Sequence, residues 1–168
     1  MLTARFSDDE RILITSMTAL VTVWQVNPFQ KIADSHHENR YIGNNLEIAL
    51  SKDNSIAVTL SISRSFTSDR TSQMLVWRVE DAFPLHRINP PLMESVQPMF
   101  TSCALSPDGS LIASGDDFGG IRFWSTQSGE ELASYDVNAY PLDLTFTPDG
   151  AGLVIVMADG TIRLLGVP

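Results

Sequence analysis

The sequence predicts an all-β fold made of four repeats, about four strands to a repeat. Three observations carry this. A Ser/Thr-x-Asp turn recurs four times along the 168 residues. A short alternating strand ending in Trp, or in Leu in the last copy, follows each turn at a nearly fixed distance. The turns are spaced by 44, 55 and 41 residues, room for four short strands each.

The turns come first. Ser106-Pro107-Asp108-Gly109 leads into Leu111-Ile112-Ala113, and Thr147-Pro148-Asp149-Gly150 into Leu153-Val154-Ile155-Val156. Ser51-Lys52-Asp53-Asn54 and Ser7-Asp8-Asp9-Glu10 are weaker copies. Pro fixes φ, Asp accepts a local backbone hydrogen bond, and Gly or Asn takes the left-handed conformation. Each turn therefore joins two apolar strands as a hairpin. Asp9, Asp53, Asp108 and Asp149 recur because the turn needs them, not as a ring of catalytic carboxylates.

The strand ends come next. Trp24 lies 17 residues after Ser7, Trp124 lies 18 after Ser106, and Leu165 lies 18 after Thr147. Trp77 lies 26 after Ser51, and the polar stretch Ser61–Ser72 supplies the excess as an insertion. The preceding residues alternate, as in Ile121-Arg122-Phe123-Trp124, the mark of a strand with one buried face. Each unit thus reads as strand a before the turn, b after it, c ending at Trp, and d beyond. In the third unit these are roughly 99–105, 110–115, 120–125 and 130–136. A period of 40 to 45 residues with four strands is that of a β-propeller blade. The blades are expected at about 1–40, 41–94, 95–137 and 138–168 of a single partial propeller.

At this point the chain resembles the WD-repeat family, most closely along Cys103–Gly115, Ile121–Trp124 and Ser128–Leu132. The resemblance implies an incomplete ring that acts as a non-catalytic scaffold for proteins or peptides. It also implies blade positions for Trp24, Trp77, Trp124, Leu165, Asp108, Gly109, Asp149, Gly150 and Asp159. The chain departs from the family where Gln25, Arg78 and Ser125 follow the Trp residues instead of Asp. The family's buried network of His, Ser, Asp and Trp is also broken. Tyr41, Val96 and Val137 fill the His slots, and Phe118 displaces the Asp partner of Ser114; only Asp159 keeps its place. The blades are therefore expected to rely mainly on apolar packing.

In such propellers strand c commonly closes the ring, with the outer strand d borrowed from an N-terminal segment. No such strand precedes the first blade, so the last blade is expected to have three strands. The chain is expected to be the C-terminal part of a larger propeller, or to be completed by self-association or by missing blades. A sensor or regulatory segment of a larger signalling protein, fused to an NTPase or kinase, is the alternative function. A propeller-based hydrolase is a third.

Composition limits the chemistry. The net charge is −9 and the 11 basic residues form no run, which excludes nucleic acid and an anionic membrane as expected partners. Cys103 is the only cysteine, so no disulfide can form within the chain. It reads as a buried inert thiol, since no His is placed to activate it. The N-terminus lacks the pattern of a signal peptide, and a cytoplasmic location is expected. His36-His37-Glu38 reads as a solvated loop and not a metal site, and no metal or other cofactor is expected. For a protein-binding face, Asp117, Phe118 and Tyr140 stand out. They fall in the b–c and d–a connections that share one face of a propeller, and an exposed aromatic beside charge makes an anchor.

Overall fold

A computed structural model describes residues 2–17, 20–36, 43–64, 70–93 and 96–168. These residues form fifteen strands in four antiparallel sheets and no helix. The first sheet holds β1 (Leu2–Phe6), β2 (Ile12–Met17), β3 (Leu20–Gln25) and β4 (Gln30–His36). The second holds β5 (Gly43–Leu50), β6 (Ile56–Arg64), β7 (Arg70–Arg78) and β8 (Phe83–Ile88). The third holds β9 (Phe100–Leu105), β10 (Leu111–Asp116), β11 (Gly120–Ser125) and β12 (Glu131–Asp136). The fourth has only β13 (Pro141–Phe146), β14 (Gly152–Met157) and β15 (Ile162–Gly166). Within every sheet, strands pair in sequence order. The innermost strands β1, β5, β9 and β13 neighbour one another in that order. This is an incomplete WD-type propeller.

One turn, built four times, joins the first two strands of each blade. The Ser or Thr hydroxyl donates to the Asp carboxylate, at 2.6 Å from Ser7 and Ser106, 2.7 Å from Ser51 and 2.5 Å from Thr147. The same oxygen accepts the amide of the residue opening the next strand, as from Leu111 at 2.9 Å. Each Asp also accepts the amide two residues on. The last turn residue always takes positive φ: Glu10, Asn54, Gly109 and Gly150. Glu10 holds that conformation without the freedom of glycine, so the hydrogen bonds and not the residue type define the turn.

Each blade has a leading face turned towards the blade before it and a trailing face turned towards the blade after it. The Trp slot lies on the leading face. Trp77 packs with Ile14, Val21 and Val23 of the first blade. Trp124 packs with Val58, Leu60, Met74 and Val76 of the second. Leu165 lies against the cluster of Ala113, Ile121 and Phe123 from the third. The residues one and three before the Trp slot point the other way and fill the trailing face. A register shift just before the slot, against strand d, recurs at Trp24, Trp77 and Trp124.

The insertion in the second blade does not interrupt the sheet. It lengthens both strands, so that β6 and β7 run nine residues each and pair as far as Arg64↔Arg70. Period-two pairing continues through Ser and Thr because both fit a pleated strand. Nor is the polar network wholly lost. The indole N–H of Trp24 donates to Thr15 Oγ1, that of Trp77 to Thr59 Oγ1 and that of Trp124 to Ser114 Oγ, each at 2.9 Å. A buried indole N–H without an acceptor is costly, so each Trp keeps one.

Candidate functional site: the face of the b–c and d–a connections

Asp117 and Phe118 sit in the tight turn between β10 and β11. Its frame is Asp116, which is fully buried and accepts the amides of Phe118 at 3.0 Å and Gly120 at 2.8 Å. The other carboxylate oxygen of Asp116 pairs with the Arg122 guanidinium, itself buried. Arg122 also approaches Glu131 at 3.6 Å and the Met93 sulfur at 3.8 Å. The sequence reading missed this pair. Its signal is the Asp116-Asp117 doublet six and five residues before an Arg on the leading face of strand c.

Asp117 is exposed and also holds its turn in place. One of its carboxylate oxygens accepts the Met99 amide at 2.7 Å, and its own amide donates to the Met99 carbonyl at 2.9 Å. It clamps the b–c turn to the connection that precedes β9. Phe118 does not fold back onto its blade; 55% of it is exposed. Tyr140, in the connection before β13, is 44% exposed, and its carbonyl accepts the Ala158 amide at 2.9 Å. The two connections touch. Gly119 has positive φ, and a Cβ there would lie 3.0 Å from the Ala139 carbonyl oxygen. The structure therefore brings Phe118 and Tyr140 to adjoining connections, with Asp117 as a clamp behind them. Leu92, Met93 and Val96 add exposed apolar surface in the connection between β8 and β9, where Met93 and Val96 pair as an isolated bridge. No alternation marked them in the sequence, since Pro90 and Pro91 interrupt any strand pattern.

The other predicted positions fall as follows. Trp77 and Trp124 are buried, while Trp24 is half-buried and stacks on Phe29 with ring centroids 5.3 Å apart. Asp108, Gly109, Asp149 and Gly150 form the turns described above. Asp159 accepts the Thr161 amide at 2.8 Å and hydroxyl at 2.6 Å, and lies 3.7 Å from Arg163. It stays at the surface, because the Trp slot of its blade holds Leu165. His36 ends β4, and His37, Glu38 and Tyr41 lie outside the described residues. Among the described residues no three His, Cys, Asp or Glu side chains are grouped to hold a metal.

A cavity of about 540 Å³ opens among the innermost strands on the opposite side, where the Ser/Thr-x-Asp turns lie. Arg5 of β1, Glu47 of β5, Cys103 of β9 and Asp143 of β13 all line it. Glu47 accepts the Cys103 amide at 2.8 Å. Burial, with a smaller push from Asp143, raises the Glu47 carboxyl to about 7. Burial first, then the neighbouring Glu47, pushes the Cys103 thiol well above its ordinary value. The thiol is inert as a nucleophile at neutral pH.

Sequentially paired antiparallel sheets, with innermost strands that neighbour one another in chain order, define a β-propeller. Comparison with known proteins adds the family. The model described as WD domain, G-beta repeat matches residues 95–125, the third blade. The chain is 27% identical over 168 residues to apoptotic protease-activating factor 1 of Homo sapiens, covering 95% of this chain and 12% of that protein. It is 38% identical over 73 residues to the pre-rRNA-processing protein IPI3 of Mycosarcoma maydis, covering 42% of this chain and 12% of the relative. It is likewise 38% identical over 60 residues to pre-mRNA-processing factor 19 of Schizosaccharomyces pombe, covering 35% and 12%. The chain thus spans about an eighth of the length of the relatives it matches. The chain is similar to WD-repeat proteins, and its third blade matches the family's model.

Proposed function

We propose that the chain is a non-catalytic scaffold that holds a protein partner on the face carrying Phe118 and Tyr140. The observation that carries this reading is the exposure of Phe118 on a turn that is itself rigidly fixed. Asp116 braces the turn from within and Asp117 ties it to the next connection. A large aromatic held out by a rigid frame loses little entropy on binding. Leu92, Met93 and Val96 extend the apolar surface within the same set of connections. The similarity to a protease-activating factor supports a second version, in which this scaffold is a regulatory segment of a larger signalling protein. A cytoplasmic site of action belongs to the proposal.

The test is cross-linking of the tagged chain in cells, followed by quantitative recovery of partners. Phe118→Asp is expected to abolish recovery of specific partners while leaving the thermal melting curve unchanged. Tyr140→Ala is expected to weaken it. Undiminished recovery from a folded Phe118→Asp variant would place the binding surface elsewhere.

A further inference from the structure

Two exposed phenylalanines of this chain sit beside aspartates, and only one of them carries a cation. On β8, Phe83 is 54% exposed, and the Arg78 guanidinium lies over its ring, 5.3 Å from the centroid. Asp81 aims that guanidinium, its two carboxylate oxygens accepting from Arg78 at 3.0 and 2.6 Å. Ring, cation and carboxylate act as one unit. The ring face attracts the cation, and the planar fork of N–H donors matches the carboxylate.

Phe118 has the ring and the carboxylates without the cation. Asp117 precedes it, and Asp136 stands opposite Gly120, two residues on, in the β11–β12 register. The Val137 amide donates to the Gly119 carbonyl at 2.9 Å and holds the two segments together. Both carboxylates are exposed. Each spends one oxygen on a local amide, Asp117 on Met99 and Asp136 on Asn138, both at 2.7 Å. Among the described residues neither has an ion-pair partner. The cations of the surrounding strands are committed elsewhere. Arg122 pairs with Asp116 and approaches Glu131, while Arg163 donates to the Val137 carbonyl and lies 3.7 Å from Asp159. Arg64 and Arg70 belong to the far end of the second blade's hairpin. Phe118 itself is on the third blade, between the second and the fourth, so no further blade of the ring would lie beside it.

We propose that the partner held on this face presents an arginine, whose guanidinium covers Phe118 between the carboxylates of Asp117 and Asp136. This rests on the scaffold reading above and adds the chemistry of the contact. The occupant follows from the unit at Phe83, where the chain supplies all three parts itself. Each of the two carboxylates keeps one oxygen for the guanidinium fork. Carboxylates alone would attract any cation, but the ring selects among them. A guanidinium lies flat on an aromatic face, whereas a lysine ammonium is a strongly hydrated point charge. Tyr140, on the adjoining connection, extends the aromatic surface.

The test is an NMR titration of the labelled chain with a short blocked peptide of alternating glycine and arginine, beside its lysine twin. The amides of Gly119 and Gly120 are expected to shift with the arginine peptide. Those of Gly109 and Gly150, in the turns on the opposite side, are expected to stay. The lysine twin is expected to bind about tenfold more weakly, the worth of one good cation–ring contact. Phe118→Leu keeps the apolar bulk and is expected to erase the difference between the peptides. Asp117→Asn combined with Asp136→Asn keeps acceptors for the Met99 and Asn138 amides, and is expected to weaken both peptides about fivefold. Melting curves establish that each variant is folded. No shift in the wild type would overturn the proposal, as would equal affinity for the two peptides or equal shifts on both sides of the molecule. In cells, partners lost with Phe118→Asp but fully kept with the two Asn substitutions would leave the scaffold reading standing and overturn this one.

Discussion

The third and fourth blades solve one packing problem in two ways. Both join their first two strands by the same Ser/Thr-Pro-Asp-Gly turn, and their strands run in the same register. In the third blade, Trp124 fills the slot and donates to Ser114, while Asp116 and Arg122 form a buried ion pair beside them. In the fourth, Leu165 fills the slot, Ile155 stands where Ser114 would be, and Met157 lies where Asp116 would be. Ile155 and Met157 are buried in the apolar cluster. Donor and acceptor are lost together. A buried hydroxyl facing Leu165 would have no indole to serve, and an indole facing Ile155 would have no acceptor. A repeat position is therefore conserved or exchanged as a pair across two strands, not as a single residue.

The largest effect should come from emptying the slot itself. Trp124→Ala is expected to cost about 3–5 kcal/mol, the range for removing a buried large aromatic. Leu165→Ala, at a half-buried site, is expected to cost clearly less, about 1–2 kcal/mol. Denaturant melts of both variants measure the difference, and equal losses would mean that the fourth blade depends on its slot as the third does.

A smaller effect separates the polar solution from the apolar one. Ser114→Ala leaves the Trp124 N–H buried without an acceptor and is expected to cost about 1–3 kcal/mol. With Trp124→Leu already in place, the same change is expected to cost little. A double-mutant cycle reads this coupling directly. Strict additivity would show that the indole hydrogen bond contributes nothing to the third blade.

The smallest effects belong to the turns, where the two blades agree. Asp108→Ala is expected to cost about 1 kcal/mol, and Asp149→Ala, at a surface turn, to lower the melting temperature only slightly. Hydrogen bonds from Ser106 and Thr147 hold these carboxyls below the usual range, as Ser7 and Ser51 do for Asp9 and Asp53. A carboxyl lowered in the folded state binds protons first when unfolded. Its contribution is complete above the ordinary carboxylate value and is lost as pH falls through the folded one. Glu47 works with the opposite sign. Its folded value near 7 against an ordinary 4.5 makes the folded state bind more protons between them. Stability should therefore decline as pH rises from about 4.5 to about 7. Melting temperature against pH is expected to lose that decline in Glu47→Gln and to keep the acid-side loss.

The turns and the slots were legible because each states its own geometry. A hydroxyl, a carboxylate and a residue of positive φ within four positions define a hairpin wherever they occur. Thr15 and Thr59 were equally legible in principle. Both lie eight residues after their turn, as Ser114 does, but a search for Ser alone passes over a Thr hydroxyl that serves the same purpose. The Asp116–Arg122 pair was passed over despite the Asp116-Asp117 doublet, because a charged residue on an alternating strand reads as solvent-facing until the neighbouring blade covers it. The placement of Asp117 illustrates the same limit. Its charge marked it as a contact for a partner, and nothing in the strand pattern showed that one of its oxygens also accepts the Met99 amide. The insertion after Ser61 was legible as extra length but not as extra strand, because Ser and Thr lengthen a β-hairpin without marking it by hydrophobic alternation.

Pairing in strict sequence order has a consequence for synthesis. No sheet waits for a strand from another unit, because every strand pairs with one made just before or just after it. Each blade's hydrogen-bond ladder is available as soon as its own segment leaves the ribosome. The N-terminal blade can form while the rest is still being added. Its trailing face stays bare until the next segment arrives. The order in which the joints close is thus the order of translation. A pause in elongation between two turns would expose one blade face at a time and never a whole core.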